Sequence, residues 1–175
     1  MVAKASGYIL AVIFAMACGL IYYHEQNVRH QDLNQAIYQM GVDLSLAVQT
    51  MNLPAYQGNP TSPTTLDAYG VAKQFIGQAT GIWSAEKFAL VASGFDQKEV
   101  GEIEQALLDI SLNTTPPRAV TVTQKTLEAD RRWLTTLERV IPSNVSSNCL
   151  TVLERSMPTL IKDYNSYKLN IMSHP

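Results

Sequence analysis

The chain carries one uninterrupted apolar run near its start, Gly7 to Tyr23 (GYILAVIFAMACGLIYY), and that run constrains everything that follows it. It holds no charged side chain, and as a helix at 1.5 Å per residue it reaches roughly 25 Å, slightly less than the ~30 Å hydrocarbon core of a bilayer. Tyr8 at one end and Tyr22 and Tyr23 at the other sit where interfacial aromatics belong. The run predicts a single transmembrane helix over residues 7–23, preceded by a short cytoplasmic amino terminus over 1–6. Lys4 precedes the span and Arg29 is the nearest basic side chain after it, an arrangement that puts the body outside the cytoplasm. Two rival readings exist. A cleaved signal peptide fits Lys4 and the short apolar stretch from Tyr8, but apolar sequence continues through Gly19, Leu20 and Ile21, where a cleavage site is normally followed by polar residues. Ala15-Met16-Ala17-Cys18 loosely matches a lipid-attachment box but lacks its usual Leu.

After the apolar run about 150 residues remain, enough for one ordinary domain with a core that needs no staples. The 13 basic and 15 acidic side chains are scattered and leave a formal net charge of -2, so no basic face for nucleic acid emerges. Cys18 falls in the expected span and Cys149 in the body, which excludes a disulfide within the monomer. Cys149 reads as a small apolar core residue.

From His24 to Met51 there is no proline, and the spacing predicts a helical extension of the span over 24–51. Leu33, Ile37, Met40, Leu44, Val48 and Met51 recur at intervals of three and four, opposite a polar face of Gln31, Asp32, Asn34, Gln39 and Gln49. Such a stripe needs a surface, either the protein's own body or a partner. Leu33, Ile37, Met40, Leu44 and Val48 are therefore the candidate partner-binding residues. Asn52 to Thr65 concentrates Pro, Gly, Asn, Ser and Thr and reads as a loop.

Residues 52–175 read as one extracytoplasmic α+β domain, rich in helix with a few strands. Thr64 and Asp67 suggest a helix start, Tyr69, Ala72, Ile76 and Ala79 its inner face, and Gly81 its end. Phe88–Gly94 (FALVASG) reads as a short buried strand, and Asp96 with Glu99 as the cap of a helix whose stripe is Val100, Ile103, Leu107 and Ile110. Pro116 and Pro117 close that unit. Ala119–Thr123 (AVTVT) alternates as a second strand, and Leu127, Leu134, Leu137 and Ile141 return to helical spacing, stopped by Pro142. Residues 143–148 read as a polar turn or cap, Cys149–Met157 as a short helix broken by Pro158, and the alternation of Tyr167, Leu169 and Ile171 as a final strand.

The search for chemistry returns structural readings. His24 and His30 lie beside the apolar run and His174 near the end of the sequence, a distribution that offers no metal site. Glu99, Glu102, Glu104 and Asp109 belong to the outer face of an amphipathic helix. Gly77 and Gly81 lack the strand-to-helix setting of a phosphate loop, no nucleophile elbow is present, and Trp83 and Trp133 read as packing residues. The expectation is a protein that is not an enzyme and uses no catalytic residue, cofactor or metal.

Two resemblances give these features a context. A short basic leader ending in Gly7, followed by an apolar helix that runs into an amphipathic one, resembles a type IV prepilin, and FALVASGF ahead of an acidic helix is similar to the strand-then-helix units of type IVb pilins. Val12 stands where processed pilins usually carry Glu, and Cys149 has no partner for the carboxyl-terminal disulfide common in them. A minor type IVb pilin-like subunit processed after Gly7 is accordingly the alternative. The segment GYILAVIFAMACGLIYYHEQ, with one domain after it, more closely resembles the PilM family, inner-membrane components of the type IVb thin pilus of IncI-type conjugative plasmids. That resemblance implies a bitopic structural component of a pilus basal body or pilin-transport apparatus, acting in pilus biogenesis and conjugation. It further implies a single pass through the bacterial inner membrane, a periplasmic carboxyl-terminal domain, the membrane and other pilus assembly proteins as partners, and a possible homo-oligomer.

Overall fold

The computed structural model describes residues 2–119, 121–141 and 148–172, with side chains from Val12 onward except at 116, 117 and 170–172. Its elements are α1 (Val2–Met51), α2 (Pro63–Ala92), α3 (Gln97–Asn113), the single turn α4 (Pro116–Ala119), α5 (Gln124–Val140) and α6 (Cys149–Met172). Two compact units divide the chain at residues 33 and 34, a boundary that falls inside α1.

The first unit is helix throughout its described length, and every residue from Val12 to Tyr23 is exposed. Among the described residues no helix is long and apolar enough to cross a membrane, which corrects the expected transmembrane helix over 7–23. Residues 7–11 of that run lie outside the described side chains. What remains, Val12 to Tyr23, measures about 18 Å along a helix before the polar sequence His24-Glu25-Gln26 begins.

In the second unit α2 packs along α3, α3 against α6, and α6 along α5, while α4 touches α2 and α3. Local chemistry sets the helix ends. Ser62 caps α2 by accepting from the Thr65 amide, with Pro63 at the first helical position, where a missing N–H costs nothing. Asp96 caps α3, accepting from the amides of Lys98 at 2.9 Å and Glu99 at 3.0 Å. Thr123 caps α5 through the Thr126 amide. Between α2 and α3 the chain reverses at Gly94, whose φ of 105° suits glycine, and the Phe95 amide reaches back to the Leu90 carbonyl. Together with the Gly94 amide on Val91 this forms a Schellman motif, sealed because Phe95 and Leu90 are both buried.

The expected α+β class is also corrected, since the described residues contain no strand. Phe88–Gly94 is the last turn and a half of α2 plus its cap, and Phe88, expected in a buried strand, is 78% exposed. A short apolar run looks alike in a buried strand and in a helix, and here the continuing stripe of Ile76, Ala79, Trp83 and Leu90 decides for helix. Gly81 sits inside α2 rather than ending it; its cost of about 1 kcal/mol relative to Ala is outweighed by burial along the rest of a 30-residue helix. Of the expected second strand, Ala119 ends α4, Thr121 and Val122 form a turn and Thr123 is a cap, with Val120 outside the described residues. The third, Tyr167–Ile171, lies within α6, which passes through Pro158. Proline there removes the hydrogen bond to the Glu154 carbonyl, but Glu154 and Pro158 are both exposed, so water can take the orphaned oxygen. The expected turn over 143–148 lies outside the described residues except for Asn148, whose Oδ1 receives the Thr151 amide at 3.4 Å at the start of α6.

The α2 and α3 pair is fastened by side chains. Trp83, fully buried, donates its indole N–H to the Val100 carbonyl at 2.9 Å. One turn along, Ser84 Oγ donates to Glu104 at 2.7 Å and Lys87 Nζ lies 3.3 Å from the other carboxylate oxygen. Trp83→Phe should remove the indole donor and part of the ring volume, lowering stability by about 1–2 kcal/mol in chemical denaturation while the helix content in circular dichroism stays unchanged.

Candidate functional site

The most unusual polar group in the protein is Asp130, in the middle of α5 and 0% exposed. It lies on the apolar face of that helix, between Leu127 and Leu134, so the spacing that buries the leucines buries the carboxylate as well. Tyr167 on α6 donates its hydroxyl to Oδ1 at 2.7 Å, and Asn113, the last residue of α3, donates Nδ2 to Oδ2 at 3.0 Å. One carboxyl thus joins three helices.

Its electrostatics are lopsided. Burial pushes the carboxyl up to about 6 from 3.8, and the charge of Asp109 adds to that, against the lowering effect of the Tyr167 and Asn113 hydrogen bonds. The adjacent cations are engaged elsewhere. Arg131 forms a two-pronged contact with Glu128 at 2.9 and 2.7 Å and donates to Asn52 at 2.6 Å, and Arg132 donates to the same Glu128 at 3.0 Å. These bonds, led by Arg131, hold the Glu128 carboxyl below its ordinary value despite partial burial. Burial first, then the nearby Asp130 charge, pushes the Tyr167 phenol up. The same two causes act on Tyr56, whose buried hydroxyl has no hydrogen-bond partner.

Around this carboxyl stand aromatic rings. Trp133 lies edge-on to Tyr164 at 6.0 Å between centroids and tilted over Tyr167 at 6.1 Å, and Tyr164 stacks on Tyr167 at 6.0 Å. The Trp133 indole N–H is buried without an acceptor. Beside the cluster a cleft of about 370 Å³ opens between α5 and α6, lined among others by Thr123, Thr126, Glu128, Arg132, Trp133 and Tyr167. Arg132 pairs with Glu128 in its wall, and Lys125 and Asp163 add one charge of each sign to the lining.

The candidate partner-binding residues read from the sequence lie elsewhere. Leu33, Ile37, Met40, Leu44 and Val48 are all buried, Ile37, Met40 and Leu44 completely, together with Ala47 and Met51. Their side chains are buried in this structure. The surface left open is the earlier part of α1, where Phe14 is 71% and Leu20 70% exposed, with Val12, Ile13, Met16, Ile21, Tyr22 and Tyr23 also exposed. Cys18 is exposed in that segment and Cys149 is buried in the body. Asp43, the other buried carboxyl, is pushed up by burial and bonded by Gln39.

Among the described residues no three His, Cys, Asp or Glu side chains converge on a point that could hold a metal. His24 and His30 are exposed on α1, and His174 lies outside the described residues. Glu102 pairs with Lys98 and Asp109 accepts from Gln105, but Glu104, expected on the solvated face of that helix, is half-buried and ties α3 to Ser84 and Lys87 of α2. Comparison with known proteins gives no match: no family model, no curated protein and no solved structure matches this chain.

Sequence periodicity could have exposed Asp130, because it occupies a slot of the Leu127, Leu134, Leu137 and Ile141 stripe; the surrounding run Glu128-Ala129-Asp130-Arg131-Arg132 disguises it as a solvated charge cluster. For the α1 stripe, replacing both Ile37 and Leu44 with Asp in the full chain should cost roughly 4 kcal/mol or more and lower the melting temperature steeply, since each carboxylate would enter the core without a partner. A double variant that melts like the parent would mean these residues are not in the core.

Proposed function

We propose that the protein is a non-enzymatic structural component of a type IV thin pilus assembly apparatus of the PilM kind, acting at the bacterial inner membrane in pilus biogenesis and conjugation. The observation that supports this reading is the bare apolar segment of α1. Eight large apolar side chains between Val12 and Tyr23 are more than half exposed, arranged all round the helix rather than on one face. A contiguous apolar surface of that kind marks an interaction site. A helix apolar on every side is built to be surrounded, which suits an element seated among the apolar helices of partner subunits. The body, in contrast, closes its own core, with Ile37, Met40, Leu44 and Val48 buried in it. The processed-pilin alternative is less well supported, because the strand-then-helix likeness of its body rested on Phe88–Gly94, which is helix and cap.

Cys18 makes the reading testable without altering the chain. It is exposed within the apolar segment while Cys149 is buried, so a thiol-directed crosslinker applied to native envelope fractions reacts at Cys18. Adducts with pilus assembly proteins, or with a second copy in the same complex, are the expected products, and Cys18→Ser should abolish them. Phe14→Arg combined with Leu20→Arg should eliminate both adducts and pilus formation while changing stability by less than about 1 kcal/mol, because both side chains are largely exposed already. Normal piliation in that double variant would refute the proposal.

A further inference from the structure

The cleft between α5 and α6 holds groups that the fold itself leaves unused. Trp133, 3% exposed, stands in its wall and carries an indole N–H without an acceptor. A buried donor left unmade is costly, and Trp83 shows the ordinary outcome, with its N–H bonded to the Val100 carbonyl. An acceptor arriving from the cleft relieves that cost.

Charge is arranged in the same way. Glu128 is held by Arg131 and Arg132, so the central acid of the wall is already satisfied. Lys125 and Asp163 also line the cleft, and neither side chain forms an ion pair or hydrogen bond among the described residues. They sit at different levels. Tyr167 meets Asp130 and Tyr164 meets Trp133, so α5 and α6 run antiparallel and Asp163 stands level with Trp133 and Leu134. Lys125 is about nine residues earlier on α5, roughly 13 Å along the axis. At that end the cleft takes in Thr123 and Thr126, the cap and first turn of α5, where backbone N–H groups lack intrahelical acceptors and the helix dipole is positive. One end therefore suits a carboxylate and the other an ammonium.

A simple anion in this cleft meets Asp163, and a simple cation meets Lys125. A ligand charged oppositely at its two ends satisfies both. An extended chain advances about 3.3–3.6 Å per residue, so three residues span roughly 10 Å and the flexible Lys125 side chain closes the remaining distance. We propose that the cleft binds a short peptide of about three residues with free ends. Its ammonium lies at Asp163, its first carbonyl accepts from the Trp133 indole, and its carboxylate meets Lys125 and the start of α5. A volume of about 370 Å³ is at the small end for ligand clefts, which suits small side chains. The site belongs to the body and does not depend on the exposed segment of α1.

The indole N–H resonances of the intact, isotopically labelled protein provide the test, because its 2 tryptophans give separate signals and Trp83→Phe identifies which is which. Tri-alanine at millimolar concentration should shift the Trp133 signal saturably and leave that of Trp83, already bonded, in place. Acetylating its amino end or amidating its carboxyl end should each weaken binding about tenfold or more, the worth of one charged hydrogen bond. Asp163→Asn should erase the difference between tri-alanine and its acetylated form, and Lys125→Gln the difference from its amide. Both side chains are free of bonds to the fold, so the variants should melt like the parent. Absence of a saturable shift, capped peptides that bind as tightly as tri-alanine, an equal response to inorganic phosphate, or variants that keep the full discrimination would each overturn the proposal.

Discussion

A protein made only of helices has no backbone ladder between its elements. Among the described residues every backbone hydrogen bond outside the helices is local, spanning a turn or a cap. Polar ties between the described elements come from side chains, among them Trp83, Ser84 and Lys87 between α2 and α3, Asp130 among α3, α5 and α6, Arg131 to the end of α1, and Asn34 to the start of α6. Apolar burial supplies the bulk of the cohesion and is indifferent to direction. The polar ties select one arrangement of the helices from the many that would bury the same stripes.

Part of this was legible in the residues. The stripes of α1 and α3 follow the 3.6-residue period, and the Asp96 cap lies where its chemistry puts it. What misled was punctuation. Gly81 and Pro158 read as helix ends, and the segments beyond them, cut off from their stripes, then looked like strands. Continued past those residues, the spacing Ile76, Ala79, Trp83, Leu90 and the spacing Leu153, Met157, Leu160, Tyr164, Tyr167 are both helical. A breaker costs a helix a fixed amount, whereas a long stripe gains with every turn, so length decides the contest.

The candidate sites were legible to different degrees for the same reason. An apolar run declares itself locally, and the exposed segment of α1 coincides with the run that opens the sequence. Its length was the misleading part, since apolarity says that a surface will be covered and not what covers it. Asp130 is the opposite case. Its type and its neighbours point to solvent, and only the helical register, known once α5 is drawn from Gln124 to Val140, turns it inward.

The bond from Leu150 to Asn34 joins residues 116 positions apart. A ribosome adding 5–20 residues per second delivers the second partner on the order of ten seconds after the first. During that interval α1 exists with its exposed segment bare and with Asn34 still waiting for the helix end it will cap. Synthesis therefore imposes an order in which the exposed apolar segment emerges well before the residue that completes this tie. For the nascent chain, what that segment meets is a matter of timing as well as of surface.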